Sequence, residues 1–78
     1  MNNDIIISKN HEFELIDHTS NFANFIFKVK KYGEDLGKVI TVRLYGGIAV
    51  PSGISLTREE RNKLHMKAIY EYKKGYHF

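Results

Sequence analysis

Residues 24–46 read NFIFKVKKYGEDLGKVITVRLYG, from Asn24 to Gly46, and their alternation decides the fold. Successive side chains of a strand point to opposite faces. In a first predicted strand, 25–32, Phe25, Phe27 and Val29 share one face, and Ile26, Lys28, Lys30 and Tyr32 the other. In a second, 38–45, Ile40, Val42 and Leu44 fall together, opposite Val39, Thr41, Arg43 and Tyr45. Gly33-Glu34-Asp35-Leu36-Gly37 joins them as a tight loop in which Gly37 is free to take positive φ. Directly opposed residues share a face. Joining the two apolar sets therefore pairs Phe27 with Leu44, Val29 with Ile40 or Val42, and Lys28 with Arg43 or Thr41. A one-residue slip would turn three large side chains toward water, at roughly 1.5–3 kcal/mol each.

Upstream, the β-branched run Ile5-Ile6-Ile7 reads as a short strand followed by a turn at Ser8–His11. Phe13 and Leu15 then alternate with Glu12, Glu14 and Ile16, which suits a half-buried strand with an acidic outer side. Asp17–Asn21 is rich in residues that bond local backbone and reads as a turn. As consecutive neighbours, 13–17, 25–32 and 38–45 form an antiparallel meander in which Glu12 and Glu14 face Lys28 or Lys30. Downstream, Gly46-Gly47 ends the hairpin, and 48–53 bends across the sheet with Ile48 and Val50 toward the core. Pro51 limits that segment to an edge strand. Thr57 and Glu60 form a capping-box pattern, and Lys73, Lys74 and Gly75 a stop signal, predicting a helix over 58–74. Its Leu64, Ala68 and Tyr72 stripe, flanked by His65, Ile69 and Arg61, should cover the apolar face of the sheet. The expectation is a single α+β domain over 1–78: a three- to four-stranded antiparallel β-meander with one C-terminal α-helix packed on one face. The order β-β-β-α resembles that of the small sheet-based DNA-binding domains of some integrases, a likeness of topology.

Composition narrows the function classes. Seventy-eight residues with 42% hydrophobic content and ten aromatics bury one modest core. The lack of cysteine excludes disulfides, thiol catalysis and zinc–thiolate sites, and suits a reducing cytoplasm. No apolar run is long enough for a transmembrane helix, and the start lacks a signal peptide's basic region. Net charge is +3, unevenly spread: residues 1–24 set four acids against Lys9 for −3, and 25–78 set eleven basic residues against five acidic for +6.

Motifs for chemistry are sparse. The four histidines form no HExxH, and a seven-residue strand would hold His11 and His18 about 23 Å apart. His65 reads as a packing residue on the helix stripe. Gly46-Gly47 lacks the spacing of a phosphate-binding loop, and the serines have no adjacent base. No catalytic residue, metal or cofactor is expected.

Two binding readings remain. The first is a protein-binding inhibitor or regulator of the kind phages and mobile elements encode, acting through Tyr32, Tyr45, Met66, Tyr70, Tyr76 and Phe78 with lysines at the rim. The alternative is a nucleic-acid binder that presents Lys28, Lys30 and Arg43 with Tyr32 and Tyr45. The acidic N-terminal third beside the basic strands favours a protein partner. The edge run Ile5–Ile7 also suits a sheet-extended homodimer.

Overall fold

In the computed structural model, which describes residues 4–21 and 23–75, the Asn24–Gly46 stretch is the centre of a five-stranded antiparallel sheet. The strands are β1 (Ile5–Ile7), β2 (Glu12–His18), β3 (Asn24–Lys31), β4 (Glu34–Arg43) and β5 (Gly47–Ala49), followed by α1 (Arg58–Gly75). They lie in chain order, β1-β2-β3-β4-β5. The architecture is the expected α+β meander, with one more edge strand. Five strands rather than three precede the helix, so the integrase-like order does not hold.

The parity of the central hairpin is as the alternation requires. Phe25, Phe27, Val29, Ile40 and Val42 are all fully buried on one face, with Phe13 beside them. The register differs from the expected one. Phe27 lies opposite Ile40, not Leu44, and Lys28 lies opposite Val39. The reason is the turn. Lys31 pairs with Glu34, so the connection is only Tyr32-Gly33, both at positive φ (52° and 82°) as a type I′ turn demands. Gly37, expected in the loop, instead sits inside β4 at φ 70°. There Leu36, Gly37 and Lys38 stand against Val29 alone, between the pairs Lys28–Val39 and Lys30–Asp35. The Asp35 carboxylate holds this bulge by accepting the Gly37 N–H at 2.7 Å. Two inserted residues preserve parity, so the apolar faces still meet. A second irregularity, between Leu15 and Asp17 of β2, leaves Ile16 as the extra residue and 47% exposed.

The helix begins where the capping box places it. The Glu60 N–H donates to Thr57 Oγ1 at 3.1 Å, and the Thr57 N–H donates to Glu60 Oε1 at 2.9 Å. Leu64 and Ala68 are fully buried against the sheet, with Tyr72 partly buried beside the core. Ile6, Leu15, Leu44, Ile48, Ile54 and Leu56 close the rim. The helix runs diagonally under the sheet. Its first turn meets the β1–β2 turn, and near its end Tyr72 receives the Tyr45 hydroxyl at 3.3 Å beside the β4–β5 connection.

Candidate functional site: exposed aromatics and a buried clamp

The solvent face of the sheet carries the residues expected to form a basic patch. Lys28 and Lys30 do share it, but each faces a carboxylate. Lys30 Nζ is 2.9 Å from Glu14 Oε1, and Lys28 Nζ is 3.3 Å from Asp35 Oδ2. The hydrogen bond and charge of Lys30 hold the Glu14 carboxyl below its ordinary range, and Glu14 raises Lys30 in return. Asp35 is lowered first by the Gly37 N–H and then, against partial desolvation, by Lys28. The cross-strand pairing of β2 with β3, Glu12–Lys30 and Glu14–Lys28, sets this alternation of sign. Arg43 stands four residues along from Lys28's level, opposite Asn24, about 13 Å away along the strand.

The aromatics are separated. Tyr32 and Tyr45 were expected on the strand face beside these lysines; both lie in turns, at opposite ends of β4. Tyr32 is 89% exposed at the tip of the β3–β4 turn, with Lys31 Nζ 5.9 Å from its ring. It lines a cleft of about 280 Å³ with Ile7, Lys9, His11 and Glu12, between two turns at the same end of the sheet. The turn is tied down there, since the Gly33 N–H donates to Glu12 Oε1 at 3.0 Å. Tyr45 is exposed at the diagonal corner and joined to Tyr72. Met66 and Tyr70 are exposed one turn apart on the outer side of the helix, with Lys67 Nζ and Lys74 Nζ 5.3 and 6.0 Å from the Tyr70 ring. Met66 also borders an open groove along β1 with Ile6, Asn62 and Lys63. Tyr76 and Phe78 lie outside the described residues. The expected set thus divides into Tyr32, the helix pair and Tyr45, in three places.

Sequence reading missed a densely bonded site beneath the β1–β2 turn. Glu60, read as a helix cap, is the one buried charged residue among those described, at 2% exposure. Its Oε1 takes the Thr57 N–H. Its Oε2 lies 3.0 Å from His11 Nδ1 and 2.6 Å from the Ser8 hydroxyl. A carboxylate only accepts, so Nδ1 is the donor here. Ser8 Oγ also accepts the His11 N–H at 3.1 Å. Burial alone would raise the Glu60 carboxyl; the bonds from Ser8, Thr57 and His11 outweigh it and leave the group below its ordinary range. Both carboxylate oxygens are committed within the fold, the bonding of a clamp between helix and turn. The Thr57/Glu60 spacing and the Ser8–His11 turn were each legible; their meeting needed the tertiary structure.

Among the described residues no group of three or more His, Cys, Asp or Glu side chains is placed to hold a metal ion, and no helix is long and apolar enough to cross a membrane. Comparison with protein-family models, with curated proteins and with solved structures finds no match, so the functional reading rests on this chain's own geometry.

Proposed function

We propose that this chain is a small protein-binding module, an inhibitor or regulator of the type phages and mobile elements encode, which works in the cytoplasm by occupying a partner's surface. The observation that carries the reading is Tyr32. A bulky side chain at φ 52° costs about 1–2 kcal/mol relative to extended backbone, and Asn or Gly serves a type I′ turn better. Tyr32 nevertheless holds that position with its ring 89% exposed. The turn demands that φ but not a tyrosine to supply it, and a strained residue kept at such a position points to function; a rigid aromatic at a turn tip beside a cleft is the shape of an interface anchor. Met66 and Tyr70, exposed among lysines, supply a second contact of the same composition.

The nucleic-acid alternative draws on Arg43 and on two lysines whose charge is matched within the sheet, which leaves it a weaker polyanion surface. A tagged-chain pull-down from native host lysate, with and without nuclease, separates the two. A protein retained after nuclease treatment and lost on Tyr32→Asn supports the proposal. Capture that disappears with nuclease, or is unchanged in both Tyr32→Asn and Tyr70→Ala, overturns it.

A further inference from the structure

The outer edge of β1 presents the backbone of two isoleucines that β2 does not engage. Asp4 O accepts from Leu15 N at 2.8 Å, and Ser8 N donates to His11 O at 2.9 Å. These bonds fix the alternation: Asp4, Ile6 and Ser8 turn their backbone groups toward β2, and Ile5 and Ile7 turn theirs outward. Lys63 Nζ caps the outward Ile7 carbonyl at 3.1 Å and also pairs with Glu59 at 3.3 Å, so it keeps a partner when it yields that carbonyl. On the solvent face Ile5 is 38% and Ile7 67% exposed.

We infer that two chains pair antiparallel through β1 about a two-fold axis at Ile6, continuing the sheet across both copies. A self-paired edge must be self-complementary, and Ile5-Ile6-Ile7 is the same read in either direction. Centred on Ile6, each Ile5 exchanges both backbone bonds with Ile7 of the other copy. The four outer isoleucines then form one apolar ridge across the seam. Ile7 borders the cleft beside Tyr32, so the two surfaces adjoin, and Ile5→Pro, outside that cleft, tests the edge by itself.

The test is sedimentation equilibrium of the full chain from low to several hundred micromolar, with amide hydrogen exchange over the same range. The expected result is a monomer–dimer equilibrium in which the Ile5 and Ile7 amides gain protection with concentration. Ile7→Lys, a change at an exposed side chain, and Ile5→Pro, which removes an outward N–H and one isoleucine of the ridge but no N–H bonded to β2, should each raise the dissociation constant at least about tenfold. Ile16→Lys, on the bulge of β2, should not. A chain that stays monomeric throughout, or a dimer undiminished by both edge substitutions, overturns the inference. Unprotected Ile5 and Ile7 amides in a dimer would do the same.

Discussion

Nδ1 of His11 lies 3.0 Å from the carboxylate of Glu60, forty-nine positions away in the chain. This contact, with the Ser8 hydroxyl beside it, fastens the first turn of the helix to the β1–β2 turn. Other polar contacts between helix and sheet lie at the surface, the Tyr45–Tyr72 hydroxyl pair among them. Lys63 reaches the Ile7 carbonyl and Lys67 reaches Asp4 at 3.6 Å, both from partly exposed positions.

Glu60→Ala should therefore destabilise the fold by about 2–4 kcal/mol, because it strands the Ser8, His11 and Thr57 donors in a buried site. Urea denaturation checks this through a lower midpoint at unchanged slope. Glu60→Gln keeps the shape and should cost less. A loss below 0.5 kcal/mol for Glu60→Ala, about the size of a surface change, would reduce the clamp to an ordinary cap.

The same carboxylate sets a pH dependence. Its folded pKa lies below the ordinary value of 4.5, so its contribution is fully present above that value and is lost as pH falls through the lower, folded one. Glu14 and Asp35 are shifted in the same direction, whereas Lys30 is raised, so its contribution disappears only as pH climbs past 10.5. Thermal midpoints should stay level near neutrality and decline on acidification below the carboxylate range. The decline should be shallower in Glu60→Gln, and equal slopes in the two proteins would remove Glu60 from the account.

Tyr32→Asn should raise stability by about 0.5–1 kcal/mol, since Asn-Gly suits positive φ at both turn positions. For a domain of this size that is an increase of several degrees in the melting temperature. Loss of partner capture in this more stable protein would separate function from folding. A lower melting temperature would mean that the Tyr32 ring supports the turn.

The register of the central hairpin is open to a double-mutant cycle. Phe27 and Ile40 are cross-strand partners and both fully buried. Phe27→Leu with Ile40→Val should show coupling of at least about 0.5 kcal/mol. Phe27→Ala alone should cost about 3–5 kcal/mol, a large part of the roughly 4–12 kcal/mol that seventy-eight residues supply. Additive changes at Phe27 and Ile40 would contradict the observed pairing.

Local physics made much of this legible from the chain alone. Period-two alternation set the buried face of β3 and β4. Opposite charge on β2 and β3 set Glu14 against Lys30, and the Thr57/Glu60 box began the helix within a residue of its observed start. These depend on neighbours within a few positions or on parity, which even a displaced turn preserves. The turn itself escaped because two glycines, Gly33 and Gly37, offered equal freedom. Only cross-strand bonding assigned one to a two-residue turn and the other to a bulge. Tertiary structure alone decided that Glu60 would be buried, that Ile5–Ile7 would pair with β2 within the chain, and that Tyr32 and Tyr45 would stand at opposite ends. Each depends on contacts between distant segments, and side-chain type by itself carries no record of them.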